Sequence, residues 1–503
     1  MDTMRVGVTQ VGTTTAAEPP VLERLRRDLE GVLEPDAVIT ERTRRRTYEC
    51  DGLTGHRVIP GLVVLPRTTE QVAAVVRACA QHQVPFVARG SGTGLSGGAL
   101  PHADGVLIVL SRMRSILDID VPNQRITVEP GVTNAEVSKA VAAHGLYYAP
   151  DPSSQIVCSI GGNVAENSGG AHCLKYGFTT NHVLALQVVL PDGSVVEVGG
   201  PTAETPGYDL RGVLIGSEGT LGVVTRATLR LLRRPEAVHT LVADYPSPAA
   251  AGDAVSAIVA AGIVPAAVEM MDNLAIHACE ADAAAGFTLE AGAALIVELD
   301  GPAAECDAAF AEVQRLCREA GAERIRIADD PAERARVWSG RKAAFAAMGR
   351  LAPDYFVQDG VIPRTRLGEC LAEIARLSQE AGLRVANVFH AGDGNLHPLV
   401  LYDGSKEGEA ERAEALSTRI AELCVEMGGS LSGEHGIGTD KACSMPKMFT
   451  DDDLAVMARV RRAFDPDDIC NPGKVLPTPR LCGERPGPYR PHPLEAAGVI
   501  ARL

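Results

Sequence analysis

Beyond Gly61 the apolar positions of the chain alternate between two periods. Residues 62–66 form a short apolar run of strand length, residues 69–83 repeat Val72, Val75, Val76 and Cys79 at helical spacing, and residues 84–88 are strand-like again. The spacing then predicts strands over 105–110 and 125–130, followed by a helix opened by the capping box Thr133-x-x-Glu136. Two β-prone runs, 184–190 and 195–198, flank Asp192-Gly193 and read as a hairpin. Arg233-Arg234-Pro235 ends the long strand pattern of 219–232 and marks a boundary. Past it, Ala-rich helical patterns alternate with strands such as 266–272 and 294–301, the cadence of an α+β domain with helices packed on one sheet. The N-terminal residues read as a loose tail and 477–493 as an extended Pro-rich one.

Composition narrows the function. The 503 residues carry a formal net charge of −16, which disfavours nucleic acid and anionic membrane surfaces, both of which are bound through excess Lys and Arg. No run of apolar residues is long enough to span a bilayer, and the N-terminus lacks the apolar core of a signal peptide, so a cytoplasmic location is the default. The 12 cysteines contain no CxxC pair and no cluster spacing, which predicts reduced thiols and no iron–sulfur centre in this chain.

The stretch ARGSGTGLSGGAL (88–100) contains a GxGxxG pattern. A dinucleotide fold would need a helix directly after these glycines, with the pyrophosphate on its N-terminus. Here Pro101, then Asp104-Gly105 and another strand follow, which argues against NAD. Glycines between two strands instead form a tight loop whose bare N–H groups can wrap an anion. Three further small-residue segments, 150–154, 158–170 and 216–222, can serve the same long, diphosphate-bearing ligand.

Residues 384–402 read as two β-prone runs around Asp393-Gly394. Counting outward from a two-residue turn sets His390 opposite His397, where Cβ atoms lie about 4.5–5.5 Å apart and two imidazoles can share a metal. The segment Gly433-Glu434-His435-Gly436 supplies a third candidate ligand. If it is extended, adjacent side chains point opposite ways, so Glu434 completes a two-His-one-carboxylate site while His435 faces substrate. Zn²⁺, Mn²⁺ and Fe²⁺ all suit such a donor set.

The glycine loop and its companions resemble the FAD domain of the vanillyl-alcohol oxidase type flavoproteins. APDPSSQ, SIGGNVAENSGG, HCLKYG, EMMDNL, LRVANVFHAGDGN and SGEHGIG are similar to the D-2-hydroxyacid dehydrogenase branch of that family, which includes D-lactate dehydrogenases, D-2-hydroxyglutarate dehydrogenase and glycolate oxidase. The similarity covers about residues 48–475. It implies an α+β architecture: an N-terminal tail and helix (1–57), an FAD-binding domain (58–235), an α+β cap (236–455) and a C-terminal helical segment returning to the FAD domain (456–503).

By the resemblance, FAD is held by Arg89, Gly90, Ser91, Gly92, Thr93 and Gly94, by Pro150, Ser153 and Ser154, and by Ser159, Gly161, Gly162, Asn163, Asn167 and Ser168. Glu218, Gly219, Val223, Val224 and Asn471 complete the set. Some members attach the flavin to a His in the glycine loop; none stands between Arg89 and Leu100, so non-covalent FAD is expected. His390, His397 and Glu434 then carry the metal, His435 is the base, Arg341 meets the substrate carboxylate and Asn395 adds a hydrogen bond. Members acting on 2-hydroxyglutarate carry a Lys near the segment 354–359, which here has none, pointing to glycolate or D-lactate. An iron–sulfur subunit and a flavoprotein-like subunit are the implied partners, able to hold the chain against the inner membrane. A non-catalytic flavin-binding assembly subunit is the alternative, but such a relative can dispense with HxGDGNLH and GEHG, and both are present.

Overall fold

The computed structural model describes residues 20–202 and 206–478; the expected tails at 1–19 and from 479 onward lie outside them. The N-terminal half holds two main sheets and a two-stranded one that pairs Leu146–Tyr147 with Leu232–Arg233. The first has β1 (Val38–Ile39), β2 (Leu62–Val64), β3 (Phe86–Arg89) and β4 (Val106–Val109), in the order β1-β2-β4-β3. The β2–β4 and β3–β4 pairs are parallel, so a crossover is needed, and α2 (Thr69–His82) supplies it after α1 (Pro20–Leu29). Both helices bury apolar stripes on this sheet, with Leu25 and Leu29 from α1 and Val72, Val75 and Val76 from α2. The glycine loop leaves the C-terminal end of β3.

The second sheet contains β5 (Ile116–Asp120), β6 (Arg125–Val128), β7 (Val183–Val189), β8 (Val195–Gly199) and β9 (Val223–Arg230), in the order β5-β6-β9-β7-β8. The β7–β8 hairpin forms as expected. Its loop has three residues, because Leu190 pairs with Ser194 and Gly193 takes φ +79°. Helices also lie between β6 and β7. In α3 (Asn134–Val141) the Glu136 carboxylate reaches back 2.9 Å to the Thr133 amide, and α4 (Ile160–Glu166) is capped by Ser159.

The C-terminal half is built on one nine-stranded sheet with β10 (Ala237–Tyr245), β11 (Ala267–Asp272), β12 (Ala293–Gly301), β13 (Arg324–Ala328), β14 (Asp354–Val357), β15 (Gly360–Val361), β16 (Arg384–His390), β17 (Asn395–Leu396) and β18 (Pro398–Tyr402). The path runs β13-β10-β12-β11-β16-β17-β15, with β18 paired to β14 and β16. Its helices are α5 (Pro248–Ala260), α6 (Asn273–Ala283), α7 (Ala303–Glu319), α8 (Pro331–Ala347), α9 (Leu367–Ala381) and α10 (Glu409–Glu426). Strand alternation divides the core between two faces. Leu241, Leu295 and Phe389 pack under α5, α7, α9 and α10, whereas Val242, Ile296 and Val388 pack under α6 and α8.

After α11 (Asp451–Phe464) the chain returns to the first sheet: the Phe86 amide donates to Ile469 and the Asn471 amide to Phe86. Cys79, Cys317 and Cys424 are buried free thiols, as their apolar helical positions predict. Cys443 departs from the expectation of reduced thiols. It is disulfide-bonded, and it sits exposed in the turn Ala442–Lys447, where a thiol is open to oxidation. Among the described residues no helix is long and apolar enough to cross a membrane.

Candidate active site

The histidine hairpin forms, but not in the expected register. His390 opposes Asn395 and Asn387 opposes Pro398, so the turn holds four residues, 391–394. The shift is two residues, an even number, and an even shift leaves every side chain on its original face. His390 and His397 are therefore diagonal neighbours on one face, their ring centroids 5.1 Å apart and nearly perpendicular.

Two elements of the cap fix His390. Glu269 on β11 is its register partner, fully buried, with Oε1 2.7 Å from His390 Nδ1. With Nδ1–H donating to Glu269, Nε2 is left to face Glu434, whose Oε1 lies 3.2 Å away. The other oxygen of Glu269 is 2.6 Å from Arg341 Nη2, brought in by α8. That ion pair falls outside hydrogen-bond angles, so Arg341 Nε and Nη2 are both buried without a hydrogen-bond partner.

The Glu434–His435 segment is not extended. It bends at Gly433, Glu434 and His435 because their three successive amides converge on the Asp359 carboxylate, at 3.0, 3.1 and 2.9 Å. Lys441 Nζ, 3.4 Å away, and the Ser432 hydroxyl also meet this buried carboxylate. Beyond the bend, the Ile437 and Gly438 amides donate to Glu218 at 2.6 and 2.7 Å, and Gly436 at φ +86° makes the intervening turn. Glu434 Oε1 thus stands 3.3 Å from His397 Nε2, and the His435 ring stacks on His397 at 4.9 Å and 2°. Glu434 and His435 share one cavity rather than facing opposite ways.

Burial works to raise the Glu434 carboxyl, but the adjoining histidines outweigh it and hold the group at about 2. For His435 burial dominates and lowers the imidazole to about 4, so the ring is neutral at pH 7. Asp359 stays well below the usual carboxylate range because His435, Lys441 and His397 overcome its desolvation.

A cavity of about 420 Å³, within the usual range for cofactor sites, runs from the glycine loop to His397, Glu434 and His435. Of the residues expected at the flavin, Arg89, Gly90, Ser91, Gly92, Thr93, Gly94, Ser153, Ser154, Ser159, Gly161, Gly162, Asn163, Ser168, Glu218, Gly219 and Val224 line it. Four do not. The Pro150 carbonyl is taken by Asn134, Asn167 is the left-handed cap of α4, and Val223 is core. Asn471 is a clip whose amide donates to Gly98 at 2.9 Å and Glu218 at 2.7 Å, tying two cavity loops together. Arg341 and Asn395 also lie off the cavity wall. Asn395 is buried against Gly433 with Oδ1 unpartnered, while Lys342, Phe345, Tyr355 and Val357 form the wall beside His435.

The residues present fit both expected groups. Arg89 Nη1 and Asn163 Nδ2 are buried donors without partners on the cavity wall, suited to an anionic ligand. A Cβ at Gly90 would stand 2.1 Å from Ser159 Oγ, so only glycine lets the two loops close on that ligand. At the other end, His390, His397 and Glu434 each offer one donor atom, all within 4.8 Å of one another. Both ring nitrogens of buried His397 lack a hydrogen-bond partner, a state that a cation relieves. Glu269 and Asp359 were not singled out by the sequence. The available signal was a carboxylate inside the apolar run AVEMM and an Asp beside glycine in QDG.

Comparison with known proteins agrees with this geometry. A model of the FAD binding domain matches residues 60–199, and one of the FAD linked oxidases, C-terminal domain, matches 234–475. The chain is 52% identical over 437 residues to the glycolate oxidase subunit GlcD of Escherichia coli, covering 87% of this chain and 88% of that one. It is 33% identical to a mitochondrial D-lactate dehydrogenase [cytochrome] of Arabidopsis thaliana, covering 84% and 74%. The fold superimposes on p-cresol methylhydroxylase with a TM-score of 0.77 at 18% identity, covering 93% and 98%.

Proposed function

The chain belongs to the vanillyl-alcohol oxidase type FAD-linked oxidases, in the branch that holds the glycolate oxidase subunit and the D-lactate dehydrogenases, and on that premise we propose that it oxidises glycolate to its 2-oxo acid with metal assistance. The observation that carries the reading is the meeting of His390, His397, Glu434 and His435 at one end of the cavity whose other end is the glycine loop.

When bound, FAD supplies the hydride acceptor and a divalent metal supplies a Lewis acid that acidifies a coordinated hydroxyl. His390, His397 and Glu434 would hold the metal, with Glu269 setting the tautomer of His390. His435 accepts the hydroxyl proton, its ring held in place by stacking on His397 and by the Asp359-bound backbone. Arg341 is assigned to the substrate carboxylate on the family resemblance, because a guanidinium matches a carboxylate fork and its Nε has no hydrogen-bond partner beside the Glu269 ion pair. Asn395 Oδ1, also unpartnered, can take one further hydrogen bond. The segment 354–359, which gives Tyr355 and Val357 to the wall, has no Lys to meet a second substrate carboxylate, which favours a small monocarboxylate.

D-lactate is the second reading, favoured by the D-lactate dehydrogenase relative and by this apolar wall, against which a methyl group can pack. The name of the E. coli relative, itself a subunit, supports partner subunits, to which this reading gives the uptake of the electrons. The test is a substrate panel on the purified protein with an artificial electron acceptor. Turnover of glycolate above D-lactate is expected, and a protein that takes up no FAD or turns over neither acid would reject the reading.

A further inference from the structure

Glu166, the last residue of α4, has no part in the chemistry above. Its carboxyl enters the cavity between the glycine loop and the Glu434–His435 loop. A Cβ at Gly98 would stand 2.6 Å from its Oε1, and one at Gly436 would stand 2.4 Å from its Oε2. Oε2 is buried and has no hydrogen-bond partner. Glu218 shares this space, since the same Cβ at Gly436 would stand 2.8 Å from Glu218 Oε1.

The two carboxyls differ in what surrounds them. Glu218 receives two backbone amides, which stabilise its charge. Nothing comparable reaches Glu166. Two buried carboxyl groups in one space do not both ionise, and the proton stays on the one without donors. The charged groups around Glu166 favour the same outcome. Burial, then Glu218 and Asp51, push its carboxyl well above the ordinary range, and Lys441 alone opposes them. Asp51 is itself balanced in part by Arg89 and Lys474, and Glu218 by Lys441 and Lys474.

We propose that Glu166 receives FAD as the neutral acid and donates its proton in a hydrogen bond to the cofactor, so that its ionisation weakens flavin retention. The ligand is a diphosphate anion, and an ionised Glu166 would add a third negative carboxylate, beside Glu218 and Asp51, to the environment that has to hold it. The inference rests on the reading that FAD fills this cavity.

The test is flavin fluorescence titration of the deflavinated full-length protein from near-neutral to alkaline pH, comparing wild type with Glu166→Gln. Above the carboxyl's pKa the wild-type Kd should rise by up to about tenfold per pH unit, whereas Glu166→Gln should stay near the wild-type neutral-pH value and rise less. Parallel pH profiles for the two proteins, or loss of FAD from Glu166→Gln already at neutral pH, overturn the proposal. Calorimetry of the wild type in buffers of different ionisation enthalpy gives a second readout that needs no variant: net proton uptake on FAD binding at alkaline pH is expected, and no uptake, or release, overturns it. If the wild type binds no FAD at any pH, the flavin reading falls and takes this inference with it. If it binds FAD but the profiles are parallel, only this inference falls.

Discussion

Glu269 Oε1 lies 2.7 Å from His390 Nδ1, on the neighbouring strand and in register with it. This contact decides which nitrogen of His390 faces Glu434 and His397, so a residue outside the cavity sets the geometry within it. Glu269→Gln should weaken metal binding about 10- to 100-fold, measured as metal content after dialysis, with turnover partly restored by excess metal. Because Arg341 loses its charged partner in the same variant, a lower melting temperature is expected as well. Unchanged metal content would remove Glu269 from this role.

His435 stacks on His397 and lines the cavity. His435→Ala should lower kcat by about 10²- to 10⁴-fold while the protein keeps its flavin absorbance. Full activity in that variant would show that the base is another group.

Arg341 is buried in an ion pair with Glu269, its Nε without a hydrogen-bond partner, whereas Lys342 lies exposed on the cavity wall. Arg341→Lys should raise KM about tenfold or more through loss of the guanidinium fork, with a smaller rise for Lys342→Ala. The reverse order would move carboxylate binding to Lys342.

His172 joins the two halves of the molecule, 2.9 Å from Asp151 and 3.3 Å from Glu298, and stacks on Trp338. Burial opposes its charge, but the two carboxylates outweigh it and raise the imidazole to about 10. A folded-state pKa above the unfolded value of about 6.5 gives stability that is full below the unfolded value and is lost as pH rises toward the folded one. Between neutral pH and about 10 the wild type should therefore lose at least about 1 kcal/mol more stability than His172→Gln, read as thermal unfolding against pH. Equal losses in both proteins would refute the coupling.

The apolar wall at Val357 is the expected specificity element. Val357→Lys should raise kcat/KM for 2-hydroxyglutarate relative to glycolate, through a charge-assisted contact to the second carboxylate. An unchanged ratio would place the discriminating residue elsewhere.

Much of the fold was legible because periodicity records burial. The apolar stripe of α2, the strands on either side of it and the Thr133–Glu136 capping box all stand where their patterns put them. The hairpin register was not legible, since Asp393-Gly394 suits a two-residue turn as well as part of a four-residue one; the site survived the error because the shift was even. Glu269 and Asp359 were hidden for a different reason. Their partners lie far along the chain, on β16 and in the bent loop at Gly433, and only the folded sheet brings them together. Asn471 was placed at the cofactor by the family resemblance, while the direction of its side chain is set by tertiary contacts that no local pattern contains.

The central claim is that the His390, His397 and Glu434 cluster and the flavin cavity act together on one substrate. The direct measurement is anaerobic addition of glycolate to the FAD-loaded protein, following the visible flavin band before and after removal of metal with a chelator. The account predicts bleaching that disappears on chelation, with FAD still bound, and returns on adding back Zn²⁺, Mn²⁺ or Fe²⁺. Bleaching at an unchanged rate in the metal-free protein would contradict it.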